Sequence, residues 1–155
     1  MGRDARVFLA ASGIHAIVIF GMYVVLLNLY FLRLGYGPEF IGIVQGTGIL
    51  AIGVLSVPAG AAGRRWGLRR VIIGGLFGGS ASLVALALSD MAPESIRVPW
   101  IVALNLGATS AMTLYYVNHG PYQMSISTEA DRTYQFSLRW AFVSLGAFAG
   151  SMLAG

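Results

Sequence analysis

Five long apolar stretches, joined by short polar segments, decide what this chain can fold into. They cover residues 7–32, 39–62, 71–89, 99–118 and 133–155. A helix needs about 20 mostly apolar residues to cross a bilayer, and each stretch approaches or exceeds that length. Strands would leave unsatisfied edges in lipid, so all five are predicted to be helices. Pro99 is expected in the first turn of the fourth, where its missing N–H costs nothing.

The composition supports the same class of protein. Charged residues make up 10% of the chain and hydrophobic residues 57%, whereas globular proteins carry about 25% charged residues. Because so few charges cannot cover a surface that faces water, we predict an all-α integral membrane protein in a lipid bilayer. The absence of cysteine excludes disulfides and thiolate metal sites. The first stretch is longer than the roughly 7–15 apolar residues of a signal peptide, so it is predicted to be retained.

The arginines predict the orientation in the membrane. Because successive spans alternate in direction, the N-terminus and the segments 63–70 and 119–132 lie on one side. That side holds eight of the ten basic residues, if Arg139 reaches it by snorkelling, and the other side holds Arg33 and Arg97. This asymmetry predicts a cytoplasmic N-terminus in the cell's inner membrane. Nucleic acid is not an expected partner, because the arginines do not share one face with aromatic residues.

Two sets of glycines have spacings that suit close packing of helices in lipid. They are Gly42, Gly46, Gly53 and Gly60 in the second span, and Gly146 and Gly150 in the fifth. The first set falls within about 40° on a helix with 100° per residue. We expect both sets to pack against neighbouring helices. Whether such smooth surfaces also permit sliding stays open.

Polar side chains form one stripe on each of two spans. The stripes are Ser12, His15, Tyr23 and Tyr30 in the first span, and Asn105, Thr109, Met112 and Tyr116 in the fourth. Polar groups at membrane depth often face a cavity, so these residues are candidates for a substrate pathway. The alternative is that they only form hydrogen bonds between helices. His15 could carry a proton near neutral pH, or remain a neutral hydrogen-bonding group.

Catalytic chemistry is poorly represented. The spans contain no Asp or Glu beyond their ends, no HExxH and no carboxylate pair, and the two histidines are far apart in the sequence. We therefore predict that the protein is not an enzyme and needs neither a metal nor another cofactor.

The segment between the second and third spans resembles a motif of the major facilitator superfamily of transporters, approximately G-x-x-x-D-R-x-G-R-R. The matching residues are Gly60, Arg65 and Gly67, and the basic pair Arg69 and Arg70 stands one position beyond the arginine pair of the motif. Arg64 stands where the family has an acidic residue that latches its two halves together, so the latch is in doubt here. The segments 30–46 and 120–137 also resemble family members, and together the order of spans resembles the amino-terminal half of such a transporter.

This resemblance implies a six-helix bundle, built as two inverted repeats, of which the chain supplies about five helices. The remaining C-terminal helices of the same protein would then be its partners. The implied function is secondary active transport of a small molecule by alternating access, with proton coupling as an open alternative. A different reading is a five-span scaffold or assembly subunit that transports nothing.

Overall fold

The computed structural model describes residues 2–155 and is helical throughout, with no strand in that range. Five helices in it are long and apolar enough to cross a membrane. They are α1 (Arg3–Arg33), α2 (Pro38–Trp66), α3 (Leu68–Ala87), α4 (Glu94–Ser125) and α5 (Arg132–Ala154). The prediction of five long apolar helices in an all-α chain is confirmed for the described residues.

The fourth helix differs most from its predicted bounds. It begins at Glu94 and ends at Ser125, so Pro99 and Pro121 lie inside it. The placement of Pro99 in the first turn was therefore wrong. The polar residues before the apolar stretch form that turn, because Arg97 holds the preceding segment in place. Its guanidinium donates to the carbonyl oxygens of Ala92 at 3.0 Å and Asp90 at 3.2 Å.

A single residue separates α2 from α3. Gly67 has a φ of 89°, which side-chain-bearing residues rarely adopt. Its N–H donates to the Gly63 carbonyl at 3.1 Å, and its own carbonyl accepts from Val71 at 3.2 Å. The end of one helix is thereby joined directly to the start of the next.

Helix α1 contains a π-helical segment, Ile17–Tyr23. Such segments have wider turns than an α-helix and are uncommon. No proline causes this one, since its sequence is IVIFGMY. The segment lies where α1 meets α5.

The chain forms two compact units, one containing residues up to Gly37 together with Gln123–Gly155, and the other Pro38–Tyr122. In the first unit, α1 and α5 run parallel. Phe8 lies near Arg139, and a Cβ placed on Gly146 would lie 2.7 Å from the Gly13 carbonyl oxygen. A Cβ on Gly21 would lie 2.5 Å from the Gly150 Cα. The two backbones touch because both helices present glycine.

In the second unit, α2 and α4 run parallel and α3 runs against them. Contacts between α2 and α4 progress in the same direction along both helices, from Val44 with Asn105 to Ala59 with Asn118. Contacts between α3 and α4 progress in opposite directions, from Gly75 with Tyr115 to Ser82 with Gly107. Both units therefore have the relative directions that successive membrane crossings require.

Candidate functional site

The polar stripe predicted on the fourth span packs inside the second unit. Asn105 is buried and donates from Nδ2 to the Val44 carbonyl at 2.8 Å. Thr109 donates to the Asn105 carbonyl of its own helix at 2.7 Å. Met112 is also buried, and a Cβ on Gly79 would lie 2.5 Å from its Cε. These contacts agree with the packing alternative, and the cavity role of the three residues stays a prediction.

A second asparagine forms an equivalent bond and was missed by the sequence reasoning. Asn118 donates from Nδ2 to the Ala59 carbonyl of α2 at 3.0 Å and to the Leu114 carbonyl at 2.9 Å. Its side chain lies against Gly63, where any Cβ would collide with Oδ1. In the sequence, the only sign of this contact is that Asn118, a polar residue, ends the fourth apolar stretch. Two buried amides thus join α4 to α2 about four turns apart.

Tyr116 is half-buried and belongs to an aromatic group on α4. The rings of Tyr115 and Tyr116 have centroids 5.6 Å apart, and His119 stacks on Tyr115 at 5.5 Å. The group lies near the Asn118 end of the helix. Tyr116 is therefore the fourth-span candidate that is least occupied by helix packing.

The candidates of the first span lie along α1, in the other unit. His15, Tyr23 and Tyr30 are each half-buried. The His15 ring meets Phe20 edge-on at 6.1 Å, and Tyr23 is the last residue of the π-helical segment. Each predicted stripe thus belongs to a different compact unit.

The arginine-rich segment carries its four charges on the surface. Arg64 and Arg65 lie in the last turn of α2, and Arg69 and Arg70 in the first turn of α3, all exposed. A cation suits the C-terminal end of a helix but opposes the dipole at an N-terminal end. The glycines of the motif act structurally, because Gly67 makes the turn and a Cβ on Gly60 would touch Val117 at 3.5 Å.

The predicted packing glycines divide into two classes. Gly146 and Gly150 make the close approach expected of them, and a Cβ on Gly150 would overlap the Ile17 carbonyl oxygen. In the second span a Cβ on Gly60 would touch Val117 at 3.5 Å, whereas in the described residues nothing lies within 4 Å of a Cβ on the other three, Gly42, Gly46 or Gly53. Their packing role stays a prediction. On α2, Gly48 makes a close contact instead, since its Cβ would lie 3.1 Å from Thr109 Oγ1.

Arg139 does not snorkel as expected. Its side chain is 8% exposed, and its guanidinium carbon lies 6.0 Å from the Phe8 ring and 5.9 Å from the Trp140 ring. Within residues 2–155 its Nε has no hydrogen-bond partner. The parallel packing of α1 on α5 covers the side chain, and this contact was not visible in the sequence.

The described part of the chain holds no group of three or more His, Cys, Asp or Glu residues arranged for a metal ion. No protein-family model, curated protein or solved structure matches the chain.

Proposed function

We propose that the protein is a secondary active transporter of the major facilitator type, moving a small molecule by alternating access. Its place would be the inner membrane of the cell, with the N-terminus in the cytoplasm. The observation that carries the proposal is the helix direction within each unit. Helix α1 is parallel to α5, and α2 is parallel to α4 and antiparallel to α3, as five successive crossings require.

The helix contacts also suit a protein whose parts move. Glycine surfaces such as those of Gly21 and Gly150 interlock few side chains, so one helix can shift along the other with little repacking. The π-helical segment at the same contact provides a local irregularity of the kind found at functional sites. Rigid-body rocking of such helices is the usual basis of alternating access.

In this proposal, Tyr116 of α4 and the half-buried residues His15, Tyr23 and Tyr30 of α1 contribute to the pathway. Asn105 and Asn118 hold the second unit together through their bonds to α2. Further helices of the same protein would complete the pathway, as the resemblance to the family implies.

A scaffold without transport activity is the second candidate, because the part of the α2 surface that carries Gly42, Gly46 and Gly53 lacks a partner in the described residues. No atom of the described residues lies within 4 Å of a Cβ on Gly42, Gly46 or Gly53. Val57, on the same helix, is 81% exposed. A helix of another protein would fit such a face.

Cysteine accessibility separates the two functions. The chain contains no cysteine, so each single-cysteine variant carries one thiol. The variants are Tyr23→Cys and Tyr116→Cys, with Val57→Cys and Leu145→Cys as controls on exposed apolar positions. Only a hydrated thiol ionises and reacts quickly with a membrane-impermeant reagent.

In sealed vesicles of either orientation, a transporter predicts labelling of Tyr23→Cys and Tyr116→Cys, with no labelling of the controls. The labelling rate of both pathway thiols should also change when the vesicles are incubated with a panel of candidate solutes under an imposed proton gradient. If neither thiol is labelled from either side, the pathway does not exist and the scaffold function is favoured.

A further inference from the structure

Arg139 is a buried charge that the described chain does not neutralise. Arginine keeps its charge in proteins and carries five N–H donors. Here its Nε lacks a hydrogen-bond acceptor, and its recorded contacts are the rings of Phe8 and Trp140. Aromatic faces attract a cation only weakly in comparison with an ion pair. Because charges inside apolar surroundings are unfavourable unless paired, a counter-charge is required.

Arg139 belongs to a polar group on the face of α5 that meets α1. Arg132, Gln135 and Arg139 fall within about 60° of one another on the helix, on the same side as Gly146 and Gly150. Gln135 is 2% exposed, and the Nε of Arg132 is buried without a hydrogen-bond partner in the described residues. The half of this face nearer the N-terminus of α5 is therefore rich in hydrogen-bond donors.

Helix α1 adds another donor of the same kind. Ser12 lies one turn after Phe8, is 2% exposed, and its Oγ has no hydrogen-bond partner in residues 2–155. Since α1 and α5 run parallel, their N-terminal ends lie at the same end of the unit. The dipole of α5 adds positive potential near Arg132, in the first turn, where the N-cap Asp131 opposes it.

A surface cleft adjoins this group of donors. It has a volume of about 400 Å³ and is lined by Met124, Arg132, Thr133, Phe136, Ser137 and Trp140. Arg132 is thus part of the cleft wall, and Trp140 touches both the cleft and the guanidinium of Arg139. The cleft leaves Arg132 accessible to a solute or a lipid headgroup at this end of the unit.

We propose that this end of the first unit is a binding site for a phosphate-type oxyanion, held by Arg132 and Arg139 with Ser12 as a further donor. The planar guanidinium fork matches the oxygens of a phosphate group, and the anion supplies the charge that Arg139 lacks. The same group is presented by free phosphate compounds and by anionic phospholipids. The site does not depend on the proposed transport function.

The test compares the thermal unfolding of four purified proteins, in a neutral detergent for the phosphate series and in nanodiscs for the lipid series. These are the unchanged chain, Arg139→Gln, Arg139→Lys and the control Arg33→Gln, which removes the same charge from an exposed position. One series titrates inorganic phosphate against chloride at constant ionic strength. The other series uses nanodiscs of phosphatidylcholine alone or with phosphatidylglycerol.

The expected result is a saturable rise in Tm for the unchanged chain and for Arg33→Gln. Affinity should fall about tenfold or more in Arg139→Gln, since a charge-assisted bidentate contact is lost. Arg139→Lys, which keeps the charge without the fork, should lie between them and also serves if Arg139→Gln does not fold.

The two series identify the source of the oxyanion. A response to inorganic phosphate indicates a soluble ligand, whereas a response only to phosphatidylglycerol indicates a lipid headgroup. The proposal is overturned if neither series stabilises the unchanged chain, or if Arg139→Gln and Arg139→Lys respond as strongly as Arg33→Gln does.

Discussion

Adjacent glycines of α3 allow a sharp test of the packing in the second unit. A Cβ on Gly75 would lie 2.7 Å from the Ala111 carbonyl oxygen and 3.0 Å from the Leu114 Cβ. A Cβ on Gly74 would meet nothing within 4 Å in the described residues. The substitutions Gly75→Ala and Gly74→Ala therefore differ only in whether the new methyl group collides with α4.

The size of the difference follows from two contributions. Replacing glycine by alanine inside a helix favours the helix by about 1 kcal/mol, and this gain is common to both variants. Forcing an extra methyl group into a packed contact costs about 1–3 kcal/mol, and only Gly75→Ala incurs it. We therefore expect Gly75→Ala to be less stable than Gly74→Ala by about 1–3 kcal/mol. Gly78→Ala should be intermediate, since its Cβ would lie 3.3 Å from the Ala111 Cβ.

The measurement is the free energy of unfolding of the full chain in mixed micelles, followed by tryptophan fluorescence. All three variants keep the three native tryptophans, so the signal is comparable. A difference of about 2 kcal/mol, the middle of the expected range, corresponds to roughly a 30-fold change in the unfolding equilibrium constant. If Gly75→Ala and Gly74→Ala unfold together, α3 does not approach α4 at this position and the packing of the second unit is wrong.

Two further predictions concern the polar contacts and the orientation. Asn118→Leu should lower the free energy of unfolding by about 1 kcal/mol, because it removes the bond to the Ala59 carbonyl. Ser56→Ala, whose hydroxyl bonds only its own helix at Ile52, is the control and should change little in the same micelle assay. Reporter fusions after residues 36 and 67 should lie in opposite compartments, since α2 separates them. Finding both reporters in one compartment would refute the membrane crossing of α2.

The spans were predictable from the sequence because length and apolar character are properties of a segment alone. Their bounds were less so. The fourth helix extends from Glu94 to Ser125 because the polar residues around the apolar stretch also form helix. A rule that places proline in the first turn does not anticipate this, since two prolines remove only two of the N–H groups of a 32-residue helix.

Which face of a helix meets a neighbour depends on the tertiary arrangement. The spacing of residues along one helix does not determine it. On α2, the regular spacing predicts packing at Gly42, Gly46 and Gly53. The glycine in contact with Asn105 and Thr109 is instead Gly48, which lies outside that pattern. The polar stripe on α1 was derived at a constant 100° per residue. The π-helical segment Ile17–Tyr23 turns each residue by less, so Tyr23 and Tyr30 are rotated relative to Ser12 from the positions that this angle gives.

The burial of Arg139 was likewise not predictable from the sequence. From the sequence, a single arginine near the start of a span is expected to extend towards the interface. The structure instead buries it, because α1 lies parallel to α5 and Phe8 covers the guanidinium. A contact between helices more than a hundred residues apart leaves no local signal at position 139.

If the helices cross a membrane as proposed, the parallel pairing of α1 and α5 also selects one orientation of the two helices. If one of the two helices entered the bilayer upside down, Gly13 and Gly21 would no longer lie opposite Gly146 and Gly150. The inverted chain would lose its backbone-to-backbone contact and leave polar side chains such as Gln135 facing lipid. In a membrane, such an inverted copy would therefore fail to pair, independently of where its arginines lie.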